Sequence, residues 1–159
     1  MSPIFSLDGR NALVTGVSSD LGRHFAATLA RPGATVAVAT RRADKLAATM
    51  AEIEAAGGCA FAVVVDVTDA ASVCAGFDVI EAKQGPADLV VHHADVAVSR
   101  PLLAQAEGDR DGVADSNLKG AWRVVQEGAR GLVAARRPGA IINIASITGE
   151  RVADGVAPY

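Results

Sequence analysis

Three stretches of this chain bring together residue types that could do chemistry. In Thr15-Gly16-Val17-Ser18-Ser19-Asp20-Leu21-Gly22 an apolar run ends in a small polar turn, and a helical pattern starts on its far side. Strand, glycine turn and helix in that order aim backbone N–H groups and a helix N-terminus at one point, which is a seat for a phosphate. Glycine suits the turn because a Cβ would fill space the phosphate needs. Asp20 stands where a third glycine is expected. A carboxylate ~4 Å from a phosphate charge costs ~1 kcal/mol in water and ~4 kcal/mol at an effective dielectric of about 20. Weakened anion binding is therefore expected, and a role for Asp20 as the cap of a helix from Leu21 would still leave its charge near the site.

The second stretch is Thr40-Arg41-Arg42, directly after an apolar run. An acidic residue at that point would accept the ribose 2′-OH of NAD, and this chain has Thr40 instead. Arginine pairs well with a 2′-phosphate, so Arg41 and Arg42 tilt the balance from NAD towards NADP; the equal alternative is two solvated charges ahead of a helix. The third stretch is His92-His93-Ala94-Asp95. Two histidines and a carboxylate are common metal ligands. Neighbours in extended chain point opposite ways, however, so His92 and His93 do not readily share one ion, and no metal site is expected.

These stretches need elements to hold them. Residues 11–15 read as a strand and about Asp20 to Ala30 as a helix, stopped by Pro32-Gly33. Ala34–Ala39, Phe61–Val65, Asp88–Val91 and Ala140–Ala145 are short apolar runs of the length of buried parallel strands. Between them, Leu46, Met50 and Ile53 repeat at helical spacing, as do Val73, Phe77 and Ile80 before Gly85-Pro86. Leu118, Trp122, Val125, Ala129 and Leu132 mark a longer helix, whereas Val96 to about Ser116 is charged, glycine-broken and only weakly helical. Strands alternating with helices predict an α/β fold: a doubly wound, Rossmann-like parallel sheet of about five strands with helices on both faces, forming a single domain over residues 1–159. Ligands of such sheets sit at the strands' C-terminal ends, which makes Thr15, Thr40, Asp66, His92 and Ser146 candidates for chemistry.

Composition narrows the classes. The chain is 50% hydrophobic and 4% aromatic with a net charge of −3, so it has neither a basic face nor the stacking platforms that nucleic-acid binding would need. No apolar run reaches membrane-spanning length and the N-terminus carries no basic or long apolar leader. Cys59 and Cys74 form no disulfide framework, which suits a reducing compartment; a cytoplasmic protein is expected.

Taken together, these motifs resemble the short-chain dehydrogenase/reductase family. Thr15 to Gly22 is similar to its T-G-x-x-x-G-x-G loop, with Thr15, Gly16, Ser18, Ser19, Asp20, Leu21 and Gly22 as candidate cofactor contacts. Asp66-Val67 resembles the pair that holds the adenine ring. Asn117, in Ser116-Asn117-Leu118-Lys119-Gly120, matches the family's active-site asparagine, and Ser146, in Asn143-Ile144-Ala145-Ser146-Ile147-Thr148-Gly149, its catalytic serine. Tyr159 follows Ser146 at the family's spacing and stands after Ala157-Pro158. His92 to Asp95 takes the place of N-N-A-G, so His92 and Ala94 would border the cofactor and Asp95 would adopt a backbone geometry normally given to glycine.

The resemblance implies hydride exchange between a nicotinamide ring and a small-molecule alcohol or carbonyl compound. Tyr159 would be the acid–base group, Ser146 would hold the substrate oxygen, and Asn117 would join a water-linked relay. The family's lysine, four residues beyond the tyrosine, would lie past Tyr159. A truncated oxidoreductase with an incomplete C-terminal part is therefore expected. A non-catalytic nucleotide-binding or self-associating module and a fragment of a longer enzyme are the alternatives. The apolar fifth strand, left as an edge, predicts a homo-oligomer.

Overall fold

A computed structural model describes residues 3–42, 46–151 and 153–159. Five parallel strands form one sheet in the order β3-β2-β1-β4-β5: β1 Asn11–Thr15, β2 Thr35–Thr40, β3 Cys59–Val64, β4 Leu89–His92 and β5 Ala140–Asn143. The register pairs Val14 with Val38 on one side of β1 and with Val91 on the other. The chain builds outward from β1 through β2 to β3, then returns to add β4 and β5 on the opposite side. The switch therefore lies between β1 and β4, and there the sheet opens a crevice at its C-terminal edge.

Alternation along the central strands explains why both faces are covered. Ala12, Val14, Val36 and Val38 pack on one face with Ala26 and Ala30 of α1 (Asp20–Ala30) and Leu46 and Ile53 of α2 (Leu46–Ala55). Leu13, Ala37, Ala39 and Val90 pack on the other with Val73 and Ile80 of α3 (Ala70–Gln84) and Val124 of α5 (Ala121–Ala135). Asp69 caps α3 by accepting the Ala71 N–H at 3.0 Å, and Gly85 at φ +83° turns the chain into β4. The sheet's N-terminal edge is closed by Asp88, 1% exposed, which accepts the Asn11 N–H at 3.0 Å and pairs with Arg137 at 2.8 Å.

Three expectations are corrected here. The segment from Val96 to Ser116 holds one turn of 3₁₀ helix at Leu102–Ala104, then α4 at Glu107–Val113 and a π-helical stretch at Ala114–Gly120. Asp109 rescues α4 from its glycines by accepting the Ala106 N–H at 3.0 Å and pairing with Arg100 at 3.0 Å. The stripe from Leu118 to Leu132 does mark a helix, but Leu118 and Trp122 face outward, at 75% and 58% exposure. The buried face is Gly120, Val124, Gly128 and Leu132. A Cβ on Gly120 would stand 2.8 Å from Val67 Cγ2, so small residues let this helix lie close to the sheet. The third correction is of strand ends: the last three strands and β2 each differ from the apolar runs by one or two residues at an end, because register with the neighbour sets the boundary.

Candidate active site

The turn after β1 is built around Gly16, at φ +73°. A Cβ there would stand 2.5 Å from the His93 carbonyl oxygen, so only glycine lets this turn meet the end of β4. Ser19, not Asp20, caps α1: its Oγ accepts the Gly22 N–H at 3.2 Å and donates to the Gly16 carbonyl at 3.1 Å. Asp20 occupies the first helical position, where its carboxylate is 94% exposed and ion-paired with Arg23. The alternative reading of Asp20 as the helix cap is thus corrected, and its charge is turned to water and to a guanidinium rather than into the turn. Among the described residues nothing accepts from the N–H groups of Ser18, Asp20 and Leu21. These are the unpaired donors of a helix start, the groups an anion would use.

Across the crevice, Thr15 gathers the start of the loop after β4. Its Oγ1 accepts the N–H groups of His93 at 3.0 Å and Ala94 at 3.1 Å. Both lone pairs are then filled, so the hydroxyl proton goes to His92 Nδ1, 3.0 Å away, and the imidazole carries its own proton on Nε2. That Nε2 is buried and has no partner among the described residues. Burial, with His93 second, pushes the His92 pKa down to about 4, against an opposing pull from Asp95. His93 turns the other way: its Nε2 lies 3.2 Å from Ser19 Oγ and its ring meets Phe25 edge to face at 5.7 Å. Asp95 needs no glycine-like backbone, since Arg136 is the sole described non-glycine residue at positive φ.

The resulting cleft, of about 750 Å³, runs from Ser18 and Ser19 past Thr40, Arg41 and Arg42 on one side and along His93, Ala94 and Asp95 on the other. That volume lies within the ordinary range of cofactor sites. Val67 forms part of its wall, and Asp66 stands beside it at the end of β3. Burial raises the Asp66 carboxyl, but the Thr68 hydroxyl at 2.7 Å and N–H at 2.9 Å, with Arg41 and Arg123, outweigh it and hold the group below its ordinary value.

Two of the residues matched to catalysis, Asn117 and Tyr159, lie outside the cleft's lining and touch its Val96 and Asp95. Asn117, in the π-helical stretch, spends both ends of its amide on Val96: Oδ1 accepts the N–H at 3.0 Å and Nδ2 donates to the carbonyl at 2.9 Å. This fixes the loop next to Asp95. The Tyr159 hydroxyl donates to Asp95 Oδ2 at 2.7 Å. That hydrogen bond first, then burial, raises the phenol above its ordinary value, while a hydrogen bond with Ser146 works the other way. Ser146 Oγ also accepts from the Thr148 hydroxyl at 2.8 Å.

A match to the sequence pattern of the short chain dehydrogenase family covers residues 10–159. The chain belongs to that family. It is 37% identical to gluconate 5-dehydrogenase of Gluconobacter oxydans over 156 residues, covering 98% of this chain and 60% of the relative. A solved short-chain type dehydrogenase/reductase from Mycobacterium marinum superposes with a TM-score of 0.94 at 32% identity, over 98% of this chain and 64% of that one. A metagenomic short-chain oxidoreductase in complex with NADP superposes at 0.89 with 33% identity, over 96% and 69%. The chain thus spans about 60% of the length of curated relatives such as the gluconate 5-dehydrogenase.

Within this short-chain dehydrogenase framework, Thr15, Gly16, Ser18, Ser19, Arg41, Arg42, Val67 and Ala94 gather on one cleft. His92 and Asp20 stand apart from its walls: His92 points into the sheet and Asp20 out to water. Gly22 is buried beneath the turn, where a Cβ would stand 2.4 Å from the Gly16 carbonyl oxygen. Leu21 has a half-exposed side chain, and its N–H meets no acceptor among the described residues. Sequence reasoning passed over His93, Val96 and Ser116 as cleft residues. Strand alternation was the available signal for His93, because a buried His92 obliges its neighbour to face the crevice.

Proposed function

We propose that this chain carries the dinucleotide site of an NAD(P)-dependent oxidoreductase that interconverts an alcohol and a carbonyl compound. The observation that carries the reading is one crevice with an anion seat at its α1 end and, at its other end, Asp95, to which the Tyr159 hydroxyl is hydrogen-bonded. The residues present fit the cofactor, since unspent N–H groups, two arginines and a wall of small side chains answer its phosphates, 2′-position and ring faces. The N–H groups of Ser18, Asp20 and Leu21 would hold the pyrophosphate, Asp66 and Val67 the adenine, and Arg41 and Arg42 a 2′-phosphate. When bound, the nicotinamide supplies or takes the hydride. Tyr159 gives a proton to the developing alkoxide and Ser146 holds that oxygen. Asn117 acts through the backbone of Val96, as a positioning residue. Thr15, with His92 behind it, keeps β1 and β4 closed around the crevice.

The test is a fluorescence titration with NADPH and NADH, followed by turnover on a panel of carbonyl compounds. Saturable NADPH binding with turnover supports the reading; neither one occurring defeats it. A charge-assisted contact is worth about 1.5–3 kcal/mol, so Arg41→Ala should weaken NADPH binding at least about tenfold and leave NADH nearly unchanged. Tighter NADH binding by the unmodified chain would contradict the preference for NADP.

The exposed Leu118, Trp122 and Val133 support a homo-oligomer. Sedimentation at micromolar concentration should find more than one copy, and a monomer would contradict this. No helix among the described residues is long and apolar enough to cross a membrane. The free thiols of Cys59 and Cys74 support a reducing, cytoplasmic setting.

A further inference from the structure

We infer that His93 is a further cofactor residue of this chain, set at the phosphate seat so that, once it takes up a proton, it holds the dinucleotide's pyrophosphate by charge. The inference rests on the dinucleotide site proposed above and adds a proton-dependent contact to it. Four contacts fix the residue there. Its N–H donates to Thr15 Oγ1 at 3.0 Å. Its carbonyl oxygen packs on Gly16, where a Cβ would stand only 2.5 Å away. The ring meets Phe25 of α1 edge to face at 5.7 Å, and Nε2 lies 3.2 Å from Ser19 Oγ. His93 thus bridges the end of β4 and the first turn of α1, and it lines the cleft together with Ser18 and Ser19. The unspent N–H groups of Ser18, Asp20 and Leu21 belong to that same turn.

Counting protons shows which atom of the ring is free. The Ser19 hydroxyl gives its proton to the Gly16 carbonyl and one lone pair to the Gly22 N–H. Its second lone pair takes the N–H of His93 Nε2. Nδ1 makes no hydrogen bond among the described residues, so it is the atom that can take up a proton. Protonation there places a full positive charge beside a seat that otherwise offers only backbone dipoles, and a pyrophosphate favours that charged form. Ligand binding and protonation therefore strengthen each other by the same factor. The carboxylate of the turn does not cancel the charge, because Asp20 is 94% exposed and paired with Arg23. The other charged groups around the ring are Arg41 and Arg42 across the cleft and Asp95 further along the loop. His92, next in the chain, is held neutral down to about pH 4 by its burial.

Calorimetric titration with NAD⁺ and NADP⁺ at about pH 6 and about pH 8, the range in which histidine changes charge, tests this. NAD⁺ is the cleaner probe, because its pyrophosphate keeps its charge over that range while the 2′-phosphate of NADP⁺ itself titrates near about pH 6. NAD⁺ should bind about tenfold tighter at the lower pH, the low end for a charge-assisted contact because the cleft is open to water. At about pH 7, titrations in two buffers of different ionisation heat should show protons taken up with the ligand. His93→Asn and His93→Gln should each bind NAD⁺ with the unmodified chain's affinity at the higher pH, at both pH values and with no proton uptake. Affinity that is flat with pH in the unmodified chain, or a pH dependence that survives in both variants, overturns the inference and leaves the dinucleotide site standing. Should neither nucleotide bind at either pH, the dinucleotide reading itself fails and the role of His93 falls with it.

Discussion

Replacing Arg137 with alanine should destabilise the folded chain by about 3 kcal/mol, the low end of the cost of stripping one partner from a buried ion pair. Asp88 is the buried member, with 1% of its side chain exposed, while Arg137 is 39% exposed. The two make contacts of 2.8 and 3.0 Å, and Arg10 approaches only to 3.9 Å. Without Arg137 the carboxylate keeps the Asn11 N–H and the distant Arg10, too little to repay its lost hydration. The low end applies because Arg10 remains and water can follow the truncated side chain. Urea denaturation measures the loss, and one below about 1 kcal/mol would show that solvent screens the pair. Adding Asp88→Asn to the Arg137→Ala chain should recover at least half of it, because the buried charge is then gone and the amide still accepts from Asn11. The effect reaches beyond stability, since the Asp88 carbonyl also takes the Ala140 N–H at 2.8 Å and so starts β5, the strand that leads to Ser146.

The second large effect is in acid. The unfolding free energy should fall by about 3 kcal/mol as the pH drops from about 6.5 to about 4, through His92 alone. An unfolded His92 takes a proton near its ordinary value of about 6.5. The folded one does so only at about 4, because burial and then the neighbouring His93 oppose the charge, against a weaker pull from Asp95. In that window the unfolded chain binds more protons, so stability rises with pH there and is lost on acidification. Asp66, whose carboxyl is lowered, also loses stabilisation in acid, but below its ordinary value of 3.8 and so in a separate window. His92→Asn offers an amide to the Thr15 hydroxyl and carries no titrating group. Its stability should be nearly flat between those limits apart from the background shared by both proteins. Parallel curves for the two would show that His92 is already neutralised or solvated in the fold.

Much of the architecture was legible in the order of residues. Periodicity changed from strand-like to helical at each turn signal, and α1 was read to its actual ends because Pro32-Gly33 and the serine turn are local punctuation. Strand ends were less legible. Whether Thr40 or His92 belongs to a strand depends on pairing with Val64 or Asn143, partners far away in the chain. The longer helix shows the limit most clearly. Leu118 and Trp122 supply the strongest apolar signal, yet the helix turns Gly120 and Gly128 inward, because close approach to Val67 and Val90 outweighs side-chain hydrophobicity. Pattern detects a stripe; it does not tell whether the sheet or another surface will cover it.

The candidate site divides in the same way. Residue types and spacing alone determined the glycine turn at Thr15–Gly22 and the paired arginines after β2, because each depends on neighbours in sequence, while Asn117, Ser146 and Tyr159 were singled out by their resemblance to the family's motifs. Side-chain direction did not follow. The carboxylate of Asp20 read as an intruder on the phosphate seat, and only the completed helix start shows it turned to Arg23 while Ser19 makes the cap. His92 and His93 are adjacent, yet one is sealed against Thr15 and the other faces the crevice. Asp95 looked like a defect in a loop and instead meets the one tyrosine, 64 residues further along the chain. Contacts of that separation are decided by how the sheet brings its strand ends together, and no local pattern encodes them.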